Sequence, residues 1–320
     1  MNRARIEYAD IAKAIAITAV VTSHEFNSIN ILDKLLSGFM LPVFFFFSGY
    51  FINKTRSIKK NTIIKFRTLL IPYISLGIIT SLLSLLYRPY NDILSDIQTS
   101  LFSWQTLWFL PVLFMAEFIS FLIIKQNFNN YILFIISCLC VLIGSIFNSY
   151  QIQIPLHLST SFIAASYCIC GYLSRQTNII TNLIKQRHYC LCSTLTFIYI
   201  FLQININDTT LNLNQNQINP IGSKIVISYL GVACIILISN LISKVHSHLI
   251  KNSLLYIGRN TLIILAFHMP IFFLIQKYIR NTISSSYIYK ITEFFLLWGG
   301  ILICIMLINK YLSVLLGKNK

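Results

Sequence analysis

The sequence predicts an all-α, polytopic membrane protein with about ten transmembrane helices and both termini in the cytoplasm. Hydrophobic residues make up 56% of the 320 residues, charged residues only 11%, and the mean hydropathy is +0.71. Apolar runs of about 20 residues recur along the chain, which is the length that an α-helix needs to cross a bilayer. The runs are continuous rather than alternating, and this favours helices over a β-barrel.

Each apolar run predicts one span, and the runs follow one another without a stretch that could form a soluble domain. The predicted spans are Tyr8–Ser28, Leu35–Ile52, Leu69–Tyr87, Leu107–Ile124, Tyr131–Phe147, Leu158–Leu173, Tyr189–Ile204, Lys224–Ile242, Thr261–Tyr278 and Ile291–Leu316. We therefore expect a single integral-membrane domain over residues 1–320. The longest outer loops would be Tyr87–Thr106 and Asn205–Ser223, the second of which is rich in Asn and is interpreted as a low-complexity loop.

Basic residues determine the expected orientation. The net charge of +16 would suggest nucleic acid as a partner in a soluble chain, but no nucleic-acid-binding motif is present. With the N-terminus inside, eighteen Lys and Arg fall on cytoplasmic segments and six on outer segments. This bias agrees with the positive-inside rule and with an even number of spans. It predicts a multi-pass protein of the cell (inner, cytoplasmic) membrane with both termini inside.

Two other classes of feature can be set aside. Arg3 and Arg5 precede an apolar segment as in a signal peptide, but Asp10 and Lys13 interrupt that segment and no small-residue cleavage pattern follows, so it is interpreted as a retained first span. The eight cysteines lie mostly in apolar runs, and residues two apart on a helix point to different sides. We therefore expect no disulfide and no metal site, including at His188-x-Cys-x-Cys.

The first span carries ionisable residues at depths where they are costly. Charged groups inside a bilayer usually mark a functional path. Lys13 and His24 are eleven residues apart, which returns to nearly the same side of a helix about 16 Å further along. Asp10 lies one turn before Lys13 and close to the same stripe. Glu25 is next to His24 in sequence but about 100° around the helix, so we do not expect it to orient His24 directly.

His24 is the first candidate for catalysis. A neutral imidazole can take a proton from a hydroxyl, and such general-base help is worth about 10²–10⁴ in rate. We expect this imidazole to be buried. The structural alternative is a histidine that only hydrogen-bonds a neighbouring helix, but the shared stripe with Asp10 and Lys13 favours a functional role.

Other candidates are weaker when taken singly. Lys65 and Arg67 at the inner mouth of the third span suit a phosphate-bearing cytoplasmic ligand, although a simple topology signal explains them equally well. His268 is a second intramembrane imidazole that could contact an acceptor or support a cavity wall. Trp108 reads as an interface anchor, with a possible contribution to a pocket.

These residues together resemble the acyltransferase 3 family of membrane-bound O-acyltransferases, which act on surface polysaccharides and related glycans. The resemblance begins with the R-x-E-Y-x-D-I-A-K-x10-H pattern at Arg5–His24. It continues through LPVFFFFSGYF (41–51), KFRTLLIPY (65–73), WFLPVLF (108–114), SFIAASYCICGYLSR (161–175) and YIGRNTLIILAFHMP (256–270). One departure is Met40, which stands where the family often has a histidine before its S-G-Y motif.

The resemblance implies transfer of an acyl group, usually acetyl, from cytoplasmic acetyl-CoA to a hydroxyl of an extracytoplasmic or lipid-linked glycan. It makes His24 the catalytic residue, Asp10 and Lys13 its supporting motif, and Lys65 and Arg67 the donor-binding cations. Glu25, His268 and Trp108 would belong to the acceptor side or the pocket. No permanently bound cofactor is implied; the expected partners are acyl-CoA, a glycan or lipid-linked saccharide, and the bilayer.

Two alternatives remain at this stage. Ten spans with buried charges would also suit a proton-coupled transporter or a flippase of lipid-linked glycans. No inverted repeat is visible, however, and few acidic residues lie within the spans. A non-catalytic membrane scaffold would leave the cost of placing Asp10, Lys13 and His24 in one span unexplained.

Overall fold

The computed structural model describes residues 6–26, 30–88, 107–152, 154–185, 189–206, 210–214, 217–219, 221–245, 247–280 and 286–317. Arg3, Arg5, His188 and most of the predicted Tyr87–Thr106 loop lie outside these ranges. The described chain is helical apart from one small β-hairpin, as the composition predicts. It divides into two compact units, of which unit 1 comprises Met1–Ile58 and Met115–Arg259, and unit 2 comprises Lys59–Phe114 and Asn260–Lys320.

Unit 1 contains most of the helices. They are α1 (Glu7–Glu25), α2 (Asn30–Ser37), α3 (Pro42–Tyr50), most of α6 (Phe109–Lys125), α7 (Asn130–Ser149), α8 (Ser161–Gln176), α9 (Ile179–Lys185), α10 (Tyr189–Asn205), α11 (Ile221–Ser243) and α12 (His248–Arg259). A 3₁₀ turn at Pro155–Thr160 precedes α8. Strands β1 (Thr210–Asn212) and β2 (Gln217–Asn219) form the hairpin between α10 and α11.

Helix α1 lies in the core of unit 1 and contacts α3, α11 and α12. Its buried side chains are mostly small, and five of them are alanines: Ala9, Ala12, Ala14, Ala16 and Ala19. Small side chains let helix backbones approach closely, and in a bilayer this packing replaces the hydrophobic effect as the main source of helix association. The alanine-rich sequence of α1 is therefore what makes it a central helix.

Helices α3 and α8 cross at two reciprocal glycines. A β-carbon at Gly49 of α3 would overlap the main chain of Cys168, and one at Gly171 of α8 would overlap the main chain of Phe46. The two backbones are therefore in direct contact. Cys168 Sγ also donates a hydrogen bond to the carbonyl oxygen of Phe45 at 3.1 Å. The FFFFSGY and YCICGY sequences do not predict this contact, because neither sequence shows which other helix its glycine packs against.

The Asn-rich segment after α10 is more ordered than a low-complexity loop. Strands β1 and β2 pair antiparallel, with Leu211 opposite Ile218. Leu213 and Ile218 are buried, and the carbonyl oxygen of Leu213 accepts a hydrogen bond from Thr160 Oγ1 at 2.7 Å. His157 Nδ1 donates to the carbonyl oxygen of Asn214 at 2.6 Å. Two apolar anchors and these bonds hold the hairpin on the 3₁₀ turn.

Unit 2 is built from three long helical stretches and the C-terminal turn. They are α4 (Ile58–Lys65), a π-helical turn (Phe66–Leu70) and α5 (Ile71–Ser84), then α13 (Thr261–Ile279), α14 (Ser286–Tyr311) and a 3₁₀ turn (Ser313–Leu316). Helix α13 packs on α14 and α5. Ser75 Oγ donates to the carbonyl oxygen of Leu315 at 2.8 Å, and Lys277 Nζ donates to that of Leu86 at 2.8 Å.

By length and composition, seven helical stretches among the described residues could cross a bilayer. They are Ile31–Tyr50, Ile58–Ser84, Asn130–Ser149, Pro155–Gln176, Gly222–Ser243, Thr261–Ile279 and Ile288–Tyr311. The other three predicted spans coincide with α1, α6 and α10. Helix α1 carries too many charged residues for that assignment, and α6 and α10 have 17 residues each. The chain is a multi-pass membrane protein, while the count of ten and the cytoplasmic termini remain predictions.

Candidate active site

Helix α1 positions the principal candidates. It runs without interruption from Glu7 to Glu25, so Lys13 and His24 share one face about 16 Å apart along the axis. Between them on that face lie Ile17 and Val20, both buried. The polar groups therefore occupy the two ends of the face and do not form an unbroken stripe.

The N-terminal end of α1 is tied to α12 by two ion pairs. Asp10 is only 5% exposed, and its Oδ2 lies 3.7 Å from Nε of Arg259. Glu7 Oε2 lies 2.6 Å from Nζ of Lys251. Asp10 is about 21 Å from His24 along the helix, so it does not support that imidazole by contact. In the structure, Asp10 packs α1 against α12.

Lys13 is half-buried at the same end of α1. Its Nζ lies 5.3 Å from the centre of the Phe51 ring, which is within the range of a cation–π contact. Phe51 follows the last residue of α3, so the contact links α1 to the end of the LPVFFFFSGYF segment. Lys13 thus lies in the N-terminal half of α1, away from the end that carries His24.

His24 lies in the last turn of α1 and is exposed, whereas the sequence predicts a buried imidazole. The side of the helix decides this, since Ser23 and Glu25 in the same turn are both buried. Glu25, by contrast, is buried at 3% exposure. The two neighbours therefore point to different surroundings, as their angular separation on the helix predicts.

Asp33 of α2 is a candidate that the sequence did not single out. Its Oδ1 accepts a hydrogen bond from Ser23 Oγ at 2.5 Å, and Ser23 immediately precedes His24. The Asp33 carboxyl group is also within electrostatic range of the His24 imidazole. Asp33 follows His24 by only nine residues in the sequence, and that short separation could have indicated the contact.

A buried lysine lies at the same end of unit 1. Lys224 of α11 is 0% exposed, and its Nζ donates to Gln203 Oε1 at 2.7 Å. Gln203 Nε2 donates to the hydroxyl oxygen of Tyr199 at 3.1 Å, and that hydroxyl donates to the carbonyl oxygen of Leu35 at 2.5 Å. The sequence predicts Lys224 only as the basic residue that opens the span Lys224–Ile242. The signal for the buried contact is a polar residue in each of two consecutive apolar runs, Gln203 and Lys224.

Lys65 and Arg67 lie in unit 2, on the helical stretch that leads from α4 into α5. Lys65 ends α4 and is half-buried, while Arg67 lies in the π-helical turn and is exposed. Residues two apart on a helix do not face each other. The two cations therefore leave the backbone on different sides and do not form a fork. Their assignment to the acyl donor remains a prediction.

His268 and Trp108 also belong to unit 2, and both are buried. His268 is 1% exposed, and its Nδ1 donates to the carbonyl oxygen of Ile264 one turn earlier at 3.0 Å. Trp108 is 7% exposed and meets Phe109 edge to face, with 6.3 Å between ring centres. Trp108 therefore does not have the exposed position that an interface anchor would take. Their contribution to an acceptor pocket remains a prediction.

Among the residues that the structure describes, no three His, Cys, Asp or Glu residues are grouped so that they could hold a metal ion. All eight cysteines are free thiols. The polar groups that the structure brings together are hydroxyl, carboxylate, imidazole, amide and ammonium groups, which suit proton transfer and the binding of anions.

Comparison with known proteins identifies the family. A family model described as an acyltransferase domain, Acyl_transf_3, matches residues 6–310, which is nearly the whole chain. No curated protein and no solved structure matches the chain. The matched region includes α1 with Lys13 and His24, and it ends within α14. The chain therefore belongs to the acyltransferase 3 family.

Proposed function

We propose that this membrane acyltransferase moves an acetyl group from cytoplasmic acetyl-CoA to a hydroxyl of an extracytoplasmic or lipid-linked glycan, with His24 handling the proton or the acyl group. The observation that carries the proposal is the division of polar groups along α1. Lys13 lies in the N-terminal half of α1, and His24 lies accessible in its last turn.

The donor end is suited to an anion. CoA carries phosphate groups, and Lys and Arg bind phosphate through charge-assisted hydrogen bonds. Lys13 is such a cation in unit 1, and we propose that the N-terminal end of α1 faces the cytoplasm, as the positive-inside rule predicts. For unit 2 taken by itself, Lys65 and Arg67 are proposed as donor-binding cations because of their position in the sequence.

The acceptor end is suited to an alcohol. An exposed imidazole can be reached by a hydroxyl, and hydrogen-bonding groups such as Ser23 and Asp33 lie next to it. In direct transfer, His24 takes the proton of the hydroxyl as its oxygen attacks the thioester carbonyl carbon. The carbon–sulfur bond breaks, and His24 returns the proton to the departing sulfur. The products are the glycan ester and free CoA.

A two-step route uses the same residue. His24 attacks the thioester first, so that a nitrogen–carbon bond forms, the carbon–sulfur bond breaks and CoA leaves as a thiol. The glycan hydroxyl then attacks the acyl-imidazole, and its proton leaves with solvent or returns to the ring. This route would let donor and acceptor bind at different times and from different sides of the membrane.

The test is to compare the wild-type chain with His24→Ala and His24→Gln in cells and in membrane vesicles. Mass spectrometry of the surface glycans should detect one acetyl increment that depends on the gene and disappears in both variants at equal expression. Labelled acetyl-CoA should transfer its label to vesicle glycans only with the wild type. Retained glycan acetylation in the variants would reject both routes. No thioester turnover by the wild type would favour the transporter alternative.

A further inference from the structure

Helix α2 is joined to its neighbours by two hydrogen bonds at the end of unit 1 that carries His24. Asp33 accepts from Ser23 on α1, and the carbonyl oxygen of Leu35 accepts from Tyr199 on α10, each at 2.5 Å. Asp33 bonds through its side chain and Leu35 through its main-chain carbonyl oxygen, and α2 packs against both α1 and α10. The two bonds therefore hold α2 to both neighbouring helices.

Lys224 is linked through Gln203 to the Tyr199 hydroxyl that bonds Leu35, and burying its ammonium group costs free energy. Its side chain is 0% exposed, and Gln203 is the hydrogen-bond partner of its ammonium group among the described residues. A buried charge is expensive, and apolar residues of similar volume in its place are often neutral or even stabilising. Stability alone therefore does not explain why a lysine occupies this position. Ionisable residues within membrane segments are by default candidates for function.

Two glycines leave space for the series of hydrogen bonds that connects Lys224, Gln203, Tyr199 and Leu35. A β-carbon at Gly38 would overlap Gln203 Nε2 and the hydroxyl oxygen of Tyr199. A β-carbon at Gly231 would lie 2.8 Å from Cε2 of Tyr199. The absence of a side chain at Gly38 and Gly231 thus leaves space for the Tyr199 and Gln203 side chains. These hydrogen-bonded side chains are closely packed within unit 1.

We infer that Asp33 is a positioning residue for His24, and that the chain Lys224–Gln203–Tyr199 holds α2, and Asp33 with it, in that position. The inference rests on the proposed role of His24 in acyl transfer. Because Ser23 and His24 are neighbours, the bond between Ser23 and Asp33 restrains the last turn of α1, where the imidazole is attached.

Charge gives Asp33 a second effect on the reaction. When His24 takes the proton of the acceptor hydroxyl, its ring becomes an imidazolium, and a nearby carboxylate stabilises that cation. The Lys224 ammonium group lies within electrostatic range of Asp33. Through its bond to Ser23, Asp33 therefore restrains the turn that carries His24 and places a carboxyl group near the imidazole.

The test measures initial rates of label transfer from acetyl-CoA to endogenous glycan in vesicles that contain the full-length protein. Asp33→Asn should lower kcat about 100-fold, the lower end of what general acid–base catalysis contributes, with KM for acetyl-CoA unchanged. Asp33→Glu should recover part of the loss. Ser23→Ala and Lys224→Met should lower kcat by smaller factors. Ile31→Ala is the matched control, since it changes an exposed, uncharged side chain of α2 but leaves both hydrogen bonds, and it should behave as wild type.

The outcomes separate this inference from the proposed function. If His24→Ala is inactive but Asp33→Asn and Ser23→Ala keep the wild-type kcat, the positioning role is wrong and the role of His24 stands. If His24→Ala remains active, the proposed function fails first. A parallel fall in acetyl-CoA affinity and thermal stability in all the variants would mean a purely structural role and would overturn the inference. Should Asp33→Asn not fold, Ser23→Ala decides, because a full kcat there contradicts the inference.

Discussion

Gly258 of α12 lies directly against the main chain of Asp10 on α1. A β-carbon at this glycine would overlap the carbonyl oxygen of Asp10, and backbone cannot move aside as the end of a flexible side chain can. The contact brings Arg259, the next residue, to the Asp10 carboxylate. Close packing and the ion pair therefore depend on the same glycine.

We expect Gly258→Ala to separate α1 from α12. The overlap should cost about 2 kcal/mol, as overpacking of a tight contact does, and should lower the thermal midpoint of the purified protein. Gly299→Ala in α14 is the control, because a β-carbon there meets nothing within 4 Å. That change should be neutral or stabilise the helix by up to about 1 kcal/mol. Equal thermal midpoints for the two variants would contradict the packing that the structure describes.

The second prediction concerns the proposed binding of acetyl-CoA by Lys65 and Arg67. Each alanine variant should raise KM for acetyl-CoA about tenfold, because a charge-assisted hydrogen bond contributes about 1.5 kcal/mol. Since the two residues leave their helix on different sides, the double variant should show additive free-energy losses. Initial-rate kinetics in vesicles measure this, with Lys59→Ala as the control on exposed α4. An unchanged KM in both single variants would remove these residues from the donor site.

Membrane topology makes a third prediction. Reporter fusions at the two termini should both be active on the cytoplasmic side, since the excess of Lys and Arg lies on the segments assigned there. A single cysteine at position 59, in a chain without its natural cysteines, should react with an impermeant thiol reagent only after the membrane is opened. A single cysteine at position 280, after the predicted span Thr261–Tyr278 and on the predicted outer side, should react in intact cells. Opposite labelling of these two positions would require a different orientation or an odd number of spans.

The fold could be predicted from sequence to the extent that it depends on local pattern. The expected first span, Tyr8–Ser28, corresponds to α1 at Glu7–Glu25, and the family was evident from the motifs in series. The Asn-rich segment is predicted as a low-complexity loop, but its buried Leu213 and Ile218 are enough to hold a β-hairpin in place. The residues that they pack against, and partners such as Thr160, lie elsewhere in the sequence, so the segment alone could not indicate the hairpin.

The candidate site could be predicted only along one helix. Helical spacing placed Lys13 and His24 on one face, but it could not show that Asp10 faces Arg259, which is 249 residues later in the chain. Likewise, the sequence alone could not show that Lys224 of α11 donates a hydrogen bond to Gln203 of α10. Exposure of His24 is also a tertiary property, because it depends on what packs beside the end of α1. Partners on other helices are the part of the site that one sequence leaves undetermined.

The last prediction concerns Lys13 and distinguishes an effect on donor binding, seen in KM for acetyl-CoA, from an effect on the reaction step, seen in kcat. Lys13→Met keeps the apolar stem over Phe51 but removes the charge, so KM for acetyl-CoA should rise about tenfold while kcat changes little. Lys13→Arg should keep most of the affinity, because a guanidinium group also binds phosphate and stacks on an aromatic ring. Lys244→Met is the matched control, since it removes an exposed cation directly after α11 that is not assigned to the donor site. A fall in kcat at constant KM for Lys13→Met would instead place Lys13 in the reaction itself, together with His24.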